Sequence, residues 1–238
     1  MQTTLGQFNE TQSQDAFALQ NSKLLKVRLE AVTVQAKLGS MVAYQGDVTF
    51  EHAGSGGLGR MLKKAVTGEG TQLMKVTGNG EVFLADQAQD IHLIYLENDM
   101  ITVNGPNLLA FDTGIDWDIR RVEGASSVMG GGLYNMALKG TGWVAILSDG
   151  PPVLLNVAAA PTFADAQAAI TWSSGVTTSI KTDVNLKTLV GRGSGETVQM
   201  AFGGEGWVLV QPSEGRIAAV GGGGAGGAAG GLGKLLSG

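Results

Sequence analysis

His52 and His92 are the only imidazoles in this 238-residue chain, and it contains no cysteine. A Ser-His-Asp triad or a histidine metal centre would have to be built around these two side chains. They lie in different strand contexts, and His92, between Ile91 and Leu93, is expected to point away from both. Two histidines alone make a poor metal centre, so a hydrogen-bonded strand histidine is the plainer expectation for each. The lack of cysteine removes disulfides, thiolate nucleophiles, cysteinyl zinc and iron–sulfur clusters together.

Residues 54–61 (GSGGLGRM) have the G-x-x-x-x-G spacing of a phosphate-binding loop and precede a helical pattern. Arg60 and Met61 stand where such a loop needs Lys and Ser or Thr, so a turn feeding a short helix is the stronger reading. Arg60, Lys63 and Lys64 form the densest basic cluster in the chain and are the candidate contact for an anion or an acidic partner. Asp112, Asp116 and Asp118 lack the D-x-[DN]-x-[DN]-G pattern of a calcium loop and read as strand-end carboxylates. Trp143, Trp172 and Trp207 read first as packing residues, and second as a stacking surface for bases or an apolar ligand. No metal and no cofactor is expected.

The elements that must position these residues follow from composition and repetition. Glycine accounts for 38 residues and proline for 5, while charged residues make up 16% and hydrophobic residues 43%. Abundant glycine disfavours helix interiors and suits turns and bulges, which points to an all-β protein with enough apolar residues for a core. The net charge of −5 opposes general binding to nucleic acid.

Three segments read G-x-G followed by an apolar run: Gly78-Asn79-Gly80, Gly140-Thr141-Gly142 and Gly204-Glu205-Gly206. An aromatic residue precedes glycine in the same phase at Tyr44-Gln45-Gly46, Phe111-Asp112-Thr113-Gly114 and Trp172-Ser173-Ser174-Gly175. Landmarks that recur in order are the signature of an internal repeat, here a triplication over about 23–96, 97–157 and 158–217. Period-2 alternation marks Val32, Val34, Ala36 and Leu38 as one face of a half-buried strand. Residues 91–96, 144–147, 153–157 and 208–210 are apolar on both faces and are expected as central strands, with turns at Asn79-Gly80, Asn104-Gly105-Pro106 and Asp149-Gly150-Pro151. One short helix is expected over 58–66 from the stripe Leu58, Met61, Leu62 and Ala65.

The expected architecture is a β-sandwich or barrel of three repeats in one domain, 1–217, followed by a flexible Gly-rich tail, 218–238. Within residues 1–20, order is expected only where Phe17 to Leu19 meet the core. The polar first 21 residues lack the basic and apolar regions of a secretory signal, and no run is long enough to span a bilayer, which sets the expectation of a cytoplasmic protein.

The segments FALQNSKLLKVRL (17–29), GSMVAYQGDVTF (39–50), GSGGLGRMLKKAVTGEG (54–70) and VFLADQAQDIHLIYLEND (82–99) resemble the altered-inheritance-of-mitochondria protein 24 family. The resemblance continues through WDIRRVEG (117–124), GTGWVAI (140–146) and AAITWSSGVTTSIK (168–181). It implies three repeats similar to the subunit of the tryptophan RNA-binding attenuation protein, and it implies no catalytic residue and no ligand. Mitochondrial members are associated with inner-membrane organisation, a role that no motif here carries over. The residues therefore point to a non-enzymatic binding or scaffold protein that self-associates and holds a protein partner. The alternative is a module for an apolar small molecule, a lipid or an oligonucleotide. A hydrolase using a serine with His52 or His92 comes third.

Overall fold

A computed structural model describes residues 3–52, 72–121, 134–181 and 199–213. The strands are β1 (Phe17–Asn21), β2 (Leu24–Lys37), β3 (Met41–His52), β4 (Leu73–Leu84), β5 (Asp90–Asn104), β6 (Leu108–Asp112) and β7 (Ile115–Arg121). They continue as β8 (Tyr134–Ser148), β9 (Val153–Asn156), β10 (Thr162–Asp165), β11 (Ala169–Ser173), β12 (Val176–Lys181), β13 (Gln199–Gly204) and β14 (Trp207–Val210). Two single 3-10 turns, Leu5–Phe8 and Gly105–Asn107, are the only helical pieces among the described residues. The described residues are thus nearly all β. The helix expected over 58–66 and the tail 218–238 lie outside the described residues.

The larger sheet runs β3-β4-β2-β6-β8-β5-β11-β14-β9, with β1 added to β2 and β7 to β8. The smaller is β10-β13-β12. Pairing is antiparallel throughout.

One local pattern occurs three times. In β3 against β4 the register slips between Met41 and Ala43, then sets Tyr44 opposite Val82. In β6 against β8 it slips between Leu108 and Ala110, then sets Phe111 opposite Val144. In β11 against β14 it slips between Ala169 and Thr171, then sets Trp172 opposite Val208. Each slip is a one-residue β-bulge, which bends the strand and increases its twist. The G-x-G glycines explain the bend in the partner strand. Gly140 has φ +144°, and a Cβ there would lie 2.5 Å from the Gly114 carbonyl oxygen. A Cβ on Gly204 would lie 2.4 Å from the Gly175 oxygen, and one on Gly78 2.0 Å from the Asp47 oxygen. Only glycine permits backbones to approach this closely.

Asn79-Gly80, expected as a turn, lies inside β4, because its partner β3 continues through Gly46 to hold the pairing. Residues 144–147 are fully buried, as central strands should be. The run from 153 is different: β9 ends the larger sheet, and Val153 and Leu154 are exposed because no described strand lies beyond them. In β2, Val34 and Ala36 are buried, while Val32, beside a second register shift, is exposed, as is Leu38 just past the strand's end.

Three apolar clusters form the core. The first joins Leu25, Val27 and Val82 to Leu109, Ala145 and Leu147, across the β2–β6 boundary. The second joins Phe111 and Leu138 to Ile170, across the β5–β11 boundary. The third draws all its buried residues from 157–208. The N-terminal arm is ordered further out than expected. Phe17 and Ala18 are buried, and the arm before them is anchored through Lys26, whose Nζ donates to Glu10 Oε1 at 2.7 Å and to the Thr11 carbonyl at 2.9 Å.

Candidate functional site

Loops from distant parts of the chain converge at one end of the sheets. Lys37 ends β2, Asp86 to Gln89 link β4 to β5, Pro106 and Asn107 precede β6, Asp149 follows β8, Gln167 precedes β11 and Gln211 follows β14. Together they line a cleft of about 220 Å³. Its polar groups are largely bonded to one another. Asn107 Nδ2 donates to the Leu147 carbonyl at 2.9 Å and to Gln211 Oε1 at 3.3 Å. Gln211 Oε1 also accepts from the Asp149 amide at 3.0 Å, and Gln211 Nε2 donates to the Gln167 carbonyl. Lys37 Nζ bridges Asp86 Oδ2 at 2.6 Å and the Pro106 carbonyl at 2.9 Å. Gln87 and Ala88, on the cleft rim, both have positive φ, a conformation that costs energy for residues with a side chain. The lining is amide-rich, with two carboxylates and one lysine, a surface suited to a small polar molecule rather than an apolar one.

The two histidines are not brought together. His52 ends β3 opposite Met74, whereas His92 lies in β5 opposite Ile146. His92 does meet a serine: its Nε2 lies 2.8 Å from Ser148 Oγ. Ser148 is fully buried, and its hydroxyl donates its single proton to the Gly150 carbonyl at 2.7 Å. The network therefore assigns His92 Nε2 as the donor toward Ser148, the reverse of a general base activating a nucleophile. Burial holds the His92 imidazole below its usual pKa, and neighbouring Asp90 opposes that effect. Strand spacing in the sequence places His92 on a face, but its partner is 56 residues away and follows only from the β5–β8 register.

The aspartates are structural. Asp112 Oδ2 accepts the Trp143 amide at 2.7 Å, at the point where β8 leaves its G-x-G bend. Burial raises the Asp112 pKa, and the Trp143 N–H partly offsets the rise. Ser173 Oγ does the same for the Trp207 amide, at 3.1 Å. Asp116 and Asp118 lie along β7 opposite Lys139 and Ala137. No group of three or more metal-ligating side chains occurs among the described residues. Lys26 is buried between Glu10 and Glu81, at 2.7 and 2.9 Å. Burial opposes its charge, but the two carboxylates outweigh that and raise its pKa. Arg60, Lys63 and Lys64, with the glycine loop before them, lie outside the described residues.

The tryptophans divide by burial: Trp172 is buried in the third cluster, and Trp143 and Trp207 pack half-buried against the first and second. Tyr95 stacks edge-on against Trp143 at 5.0 Å and stays half exposed. The bulged strands differ most. The residue at the bulge is fully buried at Leu109 and Ile170 but 60% exposed at Val42. The aromatic residue is buried at Phe111 and Trp172 but 49% exposed at Tyr44. Sequence reasoning missed this contrast, because all three segments are equally apolar.

Among known proteins, a family model described as mitochondrial biogenesis AIM24 matches residues 17–213. The crystal structure of a Streptococcus pyogenes protein is similar, with a TM-score of 0.68 and 23% identity, covering 83% of this chain and 92% of that chain. At that identity the likeness is one of fold alone. No curated protein matches the sequence. No helix among the described residues is long and apolar enough to cross a membrane.

Proposed function

The chain belongs to the mitochondrial biogenesis AIM24 family, and from that premise we propose a non-enzymatic, self-associating scaffold built from three copies of one β unit. The copies are centred on the strand triplets β3-β4-β2, β6-β8-β5 and β11-β14-β9, and each has the bulge that precedes its aromatic residue and a G-x-G bend in or beside its middle strand. This is the three-repeat plan that the resemblance to the attenuation-protein subunit implies. Buried Met74, Met136 and Met200 support it, each six residues before the second glycine of a G-x-G.

One observation carries the functional reading: among the described residues the Ser148–His92 pair, Asp112 and Lys26 are committed to holding the framework, while apolar side chains remain on the surface. Ser148 bonds both His92 of β5 and the Gly150 carbonyl, Asp112 caps a strand bend and Lys26 anchors the arm. Leu5, Phe8, Val42, Leu154 and Tyr44 remain exposed. Exposed apolar surface on a soluble protein marks interaction sites when it is contiguous. The protein acts in the cytoplasm by holding copies of itself and a protein partner together, with the Gly-rich tail as an additional contact element and no role for nucleic acid.

Native mass spectrometry of protein purified from its source tests this. A mass that is a multiple of the chain, with no adduct, is expected; a single-chain mass overturns self-association. If deleting residues 218–238 leaves both that mass and the captured partners unchanged, the tail has no part in it. A second reading, a ligand-binding module, is favoured by the amide-lined cleft and would appear in the same spectrum as a stoichiometric adduct.

A further inference from the structure

Strands β6 and β11 are each paired on both edges. β6 lies between β2 and β8, and β11 between β5 and β14. β3, with the same bulge and the same register against its glycine-bearing neighbour, is paired among the described residues only with β4 and ends the larger sheet. The neighbours that cover the two closed strands also match each other. Ala36 of β2 faces Ala110 of β6, and Val103 of β5 faces Thr171 of β11. On their other sides Ala36 faces Met74 and Val103 faces Met136. A third residue has this placement: Ala164 of β10 faces Met200. β10 ends the smaller sheet, and no strand covers its other edge in the described pairing.

One chain therefore carries both halves of a junction that it makes twice internally and leaves open the third time. We propose that a second copy of this chain closes it, with β3 of one copy pairing antiparallel with β10 of the other, and reciprocally, so that the dimer is twofold. This inference rests on the self-association proposed above and names its surface. The internal junctions set the register: Ala43 is placed opposite Ala164 of the second copy, as Ala110 is opposite Ala36. In that register Met41, Val42 and Tyr44 come under the third unit, as Leu109 and Ile170 lie under the units before them. β3 also lacks two of the usual guards of a free edge. Its sequence, MVAYQGDVTFEH, has no proline and no lysine, whereas β9 follows Pro151 and Pro152. Edge pairing of this kind joins main-chain hydrogen bonds to side-chain pockets.

The chain has no cysteine, so introduced thiols report without background. Ala43→Cys and Ala164→Cys are made in separate full-length chains, mixed and oxidised, and run without reductant. Covalent dimers from the mixture, and not from either chain alone, are the expected result. Their absence from the mixture overturns the proposal, as does a disulfide that forms only within one chain when both substitutions are placed together. In parallel, the solution mass of the wild type is compared with that of Val42→Lys and Tyr44→Lys, both at exposed positions, with circular dichroism to establish that they fold. Loss of the assembly in either folded variant supports the β3 junction. A wild-type assembly that persists in both overturns the junction but leaves self-association standing, whereas a wild-type monomer overturns both. If both variants fail to fold, the cross-linking outcome decides.

Discussion

Strands β3 and β6 are nearly the same object in two settings. Both carry a bulge, both set an aromatic residue opposite a valine, and both lie beside a strand bent at G-x-G. In β6 the bulge residue Leu109 is completely buried in the first core cluster; in β3 its counterpart Val42 is mostly exposed. The difference lies in the neighbour and not in the strand. Local sequence sets the bulge and the bend, whereas topology decides whether a neighbour covers them, and among the described residues none pairs with the outer edge of β3.

The sharpest way to break this comparison is truncation at the bulge. Leu109→Ala and Ile170→Ala should each cost about 2–5 kcal/mol, because the cavity is walled on all sides. Val42→Ala, in dilute protein, should stay within about 0.5 kcal/mol. Urea unfolding of the three variants checks this, and equal losses at all three sites would mean that β3 is already covered.

Glycine substitutions should come next in size and should not separate the two settings, because each bend lies within a strand pair that is already formed. Gly140→Ala meets the Gly114 oxygen at 2.5 Å, and Gly46→Ala meets the Asn79 oxygen at 2.5 Å, both at positive φ. Each is expected to cost upwards of about 2 kcal/mol from strain and contact together. Gly39→Ala, at φ +84° in open space, should cost about 1–2 kcal/mol. Thermal unfolding ranks the three.

The strand-bend caps give a smaller effect. Asp112→Ala strands the Trp143 amide and should cost about 1–3 kcal/mol, while Asp112→Asn keeps an acceptor and should cost less. The wild type also gains a pH signature. The folded pKa of Asp112 is raised above 3.8, so its contribution is full below that value and lost as pH rises through the folded value. Stability measured across the acidic range should therefore show a downward component in the wild type that is missing in Asp112→Asn.

The smallest effect belongs to the N-terminal arm. A hydrogen bond shared with the Glu81 side chain and one accepted from Lys26 lower the Glu10 pKa below 4.5, so this stabilisation is present above 4.5 and fades as pH falls through the folded value. Limited proteolysis with an acid-active protease should cut the arm faster there, before any loss of the core.

The parts of the fold that were legible depend on local chemistry. The uninterrupted apolar run at residues 144–147 reads as a strand covered on both faces and is fully buried, and the G-x-G landmarks lie where backbones cross. Asn79-Gly80 misleads because that pair signals a turn only if the chain reverses, and here Gly46 on the partner lets both strands run on. The apolar run from Val153 was indistinguishable from a central strand, since position at a sheet's end is a property of the whole path. The cleft was invisible for a similar reason: Asn107, Gln167 and Gln211 are ordinary loop amides until three strand ends converge. The Ser148–His92 bond required the β5–β8 register, which no spacing reveals.

Hydrogen exchange at several protein concentrations tests the open seam most directly. Amide protection in residues 41–45 is compared with that in 108–112 and 169–173. The account predicts that the last two segments are strongly protected at every concentration, while 41–45 gains protection as concentration rises, in step with the assembled mass. Protection of 41–45 that is high and independent of dilution would contradict it, because β3 would then be closed within a single chain.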